Sequence, residues 1–327
     1  MKELIFETYN LSLPVQIKGN IHGLSLNEND VLFSVESKLF CYCRLDKNFE
    51  LKFIREIEHD FENPQVKLSP SSKFLLAISE KKDRMGVWDL ESSQMIINYF
   101  IEPQGKHFFL ADFAKIHDLE ILIFNSEKHV LQGIELPNRN VFFLVDTRAF
   151  NSFRFLDFLF IERLNKIICV GNFFSEMNNS LILLNIILDS KIDDSLIEFD
   201  QNLSDYAWEI AVGKTNDERA VVYRVPDDED TEQIHSELIN YQGFYIIDLE
   251  NYEIVKKIDI DLPVKTGSML RISQDSIFVG AKEGFYLFKM GKDQAFSRYY
   301  FPCNSYSYFF PFILFLDITY GLKMIKI

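Results

Sequence analysis

Few residue groups in this chain have the types and spacing that chemistry requires. Gly213-Lys214-Thr215, within AVGKTNDE, has the ending of a phosphate-binding loop. Such a loop needs a glycine five positions before Gly213, so that backbone amides can wrap the phosphates. Trp208 stands there, and no strand-loop-helix pattern follows, so the segment reads as a hairpin turn. The histidines are His22, His59, His107, His117, His129 and His235, with none in the i, i+4 helical pair of a zinc hydrolase. Glu58, His59 and Asp60 adjoin in EIEHD, and Asp112, His117 and Asp118 form a similar group. A metal wants ligands converging from several elements, so both groups read as solvated loops. Cys41 and Cys43 share one face of a strand, because side chains alternate. They read as small apolar fillers. There is no Gly-x-Ser-x-Gly nucleophile elbow. The expectation is no catalytic residue, no metal, no cofactor and a role that is not enzymatic.

Charge carries the strongest signal. The formal net charge is −15. Residues 191–250 hold 16 Asp/Glu against 4 Lys/Arg, a net of −12, which leaves −3 for all the rest. The focus is PDDEDTEQIHSE, Pro226 to Glu237, with Asp227, Asp228, Glu229, Asp230, Glu232 and Glu237 and no base. It lies between two strands where other hairpins use short turns, so an extended, self-repelling loop is expected. Its field repels nucleic acid and anionic membrane and speeds encounter with a basic protein. The competing reading is a solvated insertion with no partner.

The elements that would carry such a loop are strands. Phe numbers 32 and Tyr 14, residues that suit a pleated, half-buried surface. No amphipathic pattern of helix length stands out. The N-terminus, MKELIFETYNLSLP, is broken by Glu3 and Glu7 and does not read as a signal peptide. The most apolar stretch, Tyr308 to Ile318, contains Pro311 and Asp317 and is too short for a membrane crossing, so it reads as core strands. Four cysteines do not make a disulfide framework, and a reducing, cytoplasmic setting is expected.

Hairpins recur along the chain. Val87-Trp88-Asp89-Leu90 is followed by ESSQMII, and Ile246-Ile247-Asp248-Leu249 by ENYEIVKKI. Upstream of Trp88, VKLSPSSKFLLAIS reads as strand, polar turn, strand. GLSLNENDVLFSV (from Gly23) and LRISQDSIFVGA (from Leu270) echo it. With the weaker copies between them, seven units emerge at a spacing of about 47 residues, each of about four short strands. The expected architecture is all-β: one domain over 1–327, a seven-bladed β-propeller, with six or eight blades left open by the drift of the repeat. The blades span about 18–60, 64–104, 107–147, 153–200, 206–260, 267–301 and 303–327 with 1–12. The last unit is one strand short and the N-terminus has one to spare, so their pairing would close the ring.

In Val66–Ile96 the chain resembles the WD-repeat (WD40-like) propellers. The Leu-Ser-Pro turn, Asp83 before the third strand and Trp88-Asp89 match that pattern, and Asp248 marks the second hairpin. The family's Gly-His pair has no counterpart, and Trp88-Asp89 is the one true Trp-Asp. The resemblance implies that Asp83 braces its blade by hydrogen bonds. It also implies a rigid disc that binds proteins through its loops. The expected function is docking of a basic protein partner on the acidic fifth blade, in one version as inhibitor or immunity protein of a basic toxin. The alternatives are an adaptor subunit of a multiprotein complex and a propeller enzyme with a site in the axial funnel. On its own the chain is expected to be a monomer.

Overall fold

The computed structural model describes residues 6–36, 38–100, 110–116, 118–127, 129–149, 153–161, 166–173, 179–185, 192–198, 208–214, 219–226, 243–248, 254–259, 266–272, 276–281, 284–290, 296–309, 311–319 and 321–327. Strands dominate them. The first is β1, Glu7–Leu11. Four sheets follow, each an antiparallel meander of four consecutive strands. The first comprises β2 (Ile21–Asn27), β3 (Asp30–Val35), β4 (Leu39–Leu45) and β5 (Leu51–Glu58). The second comprises β6 (Gln65–Leu68), β7 (Phe74–Ile78), β8 (Arg84–Asp89) and β9 (Gln94–Phe100). The third comprises β10 (Ala111–Ile116), β11 (Leu119–Glu127), β12 (Val130–Leu136) and β13 (Val141–Asp146). The fourth comprises β14 (Phe153–Ile161), β15 (Lys166–Phe173), β16 (Asn179–Asn185) and β17 (Ile192–Glu198).

The remaining strands are β18 (Trp208–Lys214), β19 (Arg219–Pro226), β20 (Gly243–Asp248), β21 (Ile254–Asp259), β22 (Thr266–Ile272), β23 (Ser276–Ala281) and β24 (Gly284–Met290). They are followed by β25 (Phe296–Phe309), β26 (Phe312–Asp317) and β27 (Leu322–Lys326). These form one hydrogen-bonded series, β1-β27-β26-β25-β24-β23-β22-β18-β19-β20-β21. Two features make it continuous. β25 is 14 residues long and its second half pairs with β26 from Cys303↔Asp317 to Phe309↔Phe312. β18 and β22 meet in parallel at a single pair, Lys214↔Arg271. At the other end β1 pairs antiparallel with β27, from Glu7↔Lys326 to Leu11↔Leu322, so this sheet takes strands from both ends of the described chain. The apolar stretch Tyr308 to Ile318 supplies the end of β25 and all of β26.

The chain divides into two compact units. One is Met1–Leu122 with Glu135–Asn140 and Phe301–Ile327; the other is Ile123–Ile134 with Val141–Tyr300. Within the first, period-two alternation decides which core each residue joins. Val31, Phe33, Cys41 and Cys43 pack with Leu314, Leu316, Leu322 and Met324 of β26 and β27. Their neighbours Leu32, Phe40 and Tyr42 face the other way and pack with Val66, Leu68, Leu75, Ala77 and Trp88 of the second sheet. Both faces are thus buried, which is why β3 and β4 read as unbroken apolar runs. Strands of different sheets are also stitched by polar bonds. Leu26 N–H donates to Ser307 Oγ at 2.8 Å, and Leu68 N–H donates to Ser25 Oγ at 2.9 Å. Lys67 Nζ donates to the Ala111 carbonyl at 3.3 Å and pairs with Asp112 at 3.0 Å. Three of these bonds engage a backbone group: the Leu26 and Leu68 N–H groups and the Ala111 carbonyl.

The hairpins turn with little glycine. Glu28, Lys38, Phe49, Ser72, Lys82, Ser93 and Arg139 all hold positive φ, between 51° and 62°. Aspartates brace several of these turns by accepting backbone N–H bonds. Asp46 Oδ1 accepts from Asn48 and Glu50 at 2.9 and 3.0 Å. Asp317 Oδ1 accepts from the backbone N–H of Thr319 and of Gly321, both at 2.9 Å.

Candidate functional site

The turn from β7 into β8 is held by a cluster of side-chain hydrogen bonds. Ser79 Oγ donates to Asp83 Oδ1 at 2.6 Å. The same hydroxyl accepts the N–H groups of Asp83 and Arg84 at 3.2 and 3.1 Å. One serine and one aspartate therefore close the turn between them. Trp88 lies buried with its ring edge-on to Phe40 and Phe61, at centroid distances of 5.0 and 5.4 Å. Gly86 must lack a side chain, since a Cβ there would come within 2.7 Å of the Trp88 ring. Asp89 Oδ1 accepts from Ser92 N–H at 2.7 Å and from Ser92 Oγ at 3.0 Å, holding the turn into β9. Asp83, Trp88 and Asp89 thus sit in one hairpin region, each engaged in holding it together.

Glu58, His59 and Asp60 do not converge. Glu58 is exposed. His59 turns inward, stacked on Phe40 at 3.9 Å, with Nδ1 accepting the Phe61 N–H at 3.2 Å. Burial pushes its pKa down to about 4, so the ring is neutral at physiological pH. Asp60 turns outward and pairs with Arg84 at 2.9 Å. Arg84 also donates to Asn98 at 3.0 Å and lies over the rings of Phe61 and Phe100, at 4.1 and 4.8 Å. This clamp was not anticipated from sequence. Asp60 and Phe61 lie in the loop after β5, Arg84 on β8 and Asn98 and Phe100 on β9, and no spacing rule joins them. Asp112 is taken up by Lys67, as above, and Asp118 is exposed; His117 lies outside the described residues.

All four cysteines are free and buried. Desolvation raises Cys41 to about 11 and both Cys43 and Cys303 to about 12. At neutral pH these are protonated thiols and poor nucleophiles or ligands. Gly213 and Lys214 end β18 in regular antiparallel register with Val221 and Ala220. Thr215 lies outside the described residues.

The acidic residues Asp227, Asp228, Glu229, Asp230, Glu232 and Glu237 lie outside the described residues, which stop at Pro226 and resume at Gly243. The strands on either side are described. β19 and β20 are adjacent and antiparallel, from Arg219↔Asp248 to Tyr223↔Phe244. The acidic run is therefore an insertion in the hairpin between the second and third strands of the meander β18–β21. The same hairpin takes residues 36–38 in the first sheet, 79–83 in the second and 128–129 in the third. Asp248 is on β20, opposite Arg219.

No protein-family model matches the sequence, and no curated protein matches it. Solved structures do. Kuenenia stuttgartiensis hydrazine synthase superposes with a TM-score of 0.65 at 10% identity, over 96% of this chain and 97% of that one. U3-55K gives 0.59 at 10% identity, over 95% and 97%. The RRP9 WD40 repeats give 0.59 at 9% identity, over 95% and 96%. The fold is a β-propeller of WD40-like kind. At such identities the likeness speaks for the fold alone.

Proposed function

We propose that the chain is a seven-bladed, protein-binding propeller that docks a basic partner on the acidic insertion of its fifth blade. The observation that carries this reading is the pairing of a charge focus with a fixed anchor. Residues 191–250 hold 16 acids against 4 bases, and the densest run springs from the adjacent strands β19 and β20. A rigid sheet that presents a negative loop raises the encounter rate with a cationic surface. The concrete form we favour is an inhibitor or immunity protein that covers the cationic cleft of a toxin such as a nuclease. Grouping the strands by fours, with β25 serving two groups and β1 completing the last, supports a count of seven blades. The pairing of β1 with β27 supports closure of the ring by the N-terminal strand, and the Ser307–Leu26 bond, which joins β25 to β2, supports it as well.

Capture from the native cell extract, washed at low and then at high salt, tests the reading. A basic protein held at low salt and released at high salt is the expected result. Partners that stay bound through the high-salt wash would overturn it in favour of an adaptor in a stable complex. A second reading, an enzyme with a polar site at the propeller axis, has one observation in its favour: a synthase is among the similar folds. It would be supported by perturbed acids converging on the axis from several blades.

A further inference from the structure

We propose that His59 is a proton-operated latch on the connection from β5 to β6: protonation of its ring releases residues 59–61 from Phe40 and Arg84 while the sheets on either side stay folded. Both ring nitrogens sit where only a neutral imidazole is tolerated. Nδ1 accepts the Phe61 N–H at 3.2 Å, and Nε2 is buried with no hydrogen-bond partner among the described residues. The ring is stacked on Phe40, with 3.9 Å between centroids and 19° between planes. An imidazolium carries a hydrogen on each nitrogen and accepts nothing. Protonated in place, it would set one N–H against that of Phe61 and leave the other buried and unsatisfied. Turning out to water satisfies both, with loss of the stack and of the Phe61 bond.

The two residues that follow transmit this turn. Asp60 pairs with Arg84 at 2.9 Å, and Phe61, 2% exposed, lies beneath that guanidinium and edge-on to Trp88. Both are tied by the backbone to His59, whose own N–H donates to the Lys38 carbonyl at 2.9 Å. With the latch open, Arg84 gives up its carboxylate and Phe61 its place against Trp88. The charged groups around the ring act in opposite directions. Asp60, in the loop, favours protonation, and Lys38, in the turn before β4, opposes it. Glu58, at the end of β5, is exposed, and Arg84 of β8 is held by Asp60. Burial outweighs the Asp60 carboxylate and holds the pKa of the closed ring at about 4, against the ordinary 6.5. Opening is therefore favoured as pH falls from 6.5 towards 4 and is indifferent to pH above that window.

Hydrogen exchange of the Phe61 amide in the whole chain tests this. After correction for intrinsic rates, its protection should fall on the order of 50- to 100-fold between about pH 7.5 and about pH 4.5. At the lower pH that exchange should not respond to low urea, the mark of local opening, while the amides of β3 stay protected. His59→Phe, which keeps a ring on Phe40 and takes up no proton, should abolish the pH response. His59→Gln, also unable to take up the proton, should do the same and serves where the phenylalanine variant folds poorly. Protection that does not fall, exchange that rises with urea in step with β3, or a pH response that survives in a folded variant would each overturn the proposal.

Discussion

His59 shows how one buried ring sets a pH dependence. Its folded pKa of about 4 lies below the ordinary 6.5, because its ring is desolvated against Phe40. The unfolded chain therefore takes up the proton first. Stability is unaffected above pH 6.5, falls as pH drops towards 4, and loses nothing further from this group below that. The whole loss is on the order of 2–3 kcal/mol. Urea melts at pH 7.5, 5.5 and 4.5 check this, and His59→Phe should flatten the profile over that window. At Ser79–Asp83, removing either partner orphans the turn: Asp83→Ala should cost about 1–2 kcal/mol. Trp88→Ala, which empties the contact between the first two sheets, should cost about 3–5 kcal/mol. Asp83, Trp88 and Asp89 could be picked out together because they lie within a few residues of each other. The Asp60–Arg84 clamp was not, because pairing across loop and strand leaves no periodic trace.

Seven of the described hairpins set a short turn against an ordinary side chain. Glu28 holds φ at 51° in the turn from β2 to β3. Left-handed backbone costs an L-residue roughly 1 kcal/mol, which glycine avoids. Glu28→Gly should thus raise the melting temperature slightly, where glycine inside a strand would lower it. The strands themselves were legible as short apolar runs between polar turns. The serine recurring before those turns was visible too, but not its differing uses. Ser25 accepts the Leu68 N–H from the next sheet, whereas Ser69 accepts the Phe74 N–H of its own hairpin, at 3.1 Å. Which partner a serine finds is fixed by how the sheets lie side by side, and the local sequence does not encode that.

For the whole molecule, period and composition revealed a propeller, since four short strands repeated without helices leave few other ways to bury both faces. What they could not reveal was the contact between ends. Leu26 and Ser307 bond across nearly the whole chain length, and β1 pairs with β27, the last strand. If that pairing closes the ring, deletion of residues 1–12 should sharply lower the melting temperature, because it exposes β27 as an edge and removes Leu11 from the core in which it is buried. An unchanged melting temperature would show that closure does not depend on β1. The charge distribution acts at the same scale, concentrating nearly all of the net −15 in one region. The most direct measurement is therefore capture from extract with the parent and with a variant carrying Asp227→Lys, Asp228→Lys, Glu229→Lys and Asp230→Lys. The account predicts that the variant melts as the parent does and loses the basic partner. A partner retained by the folded variant would contradict it.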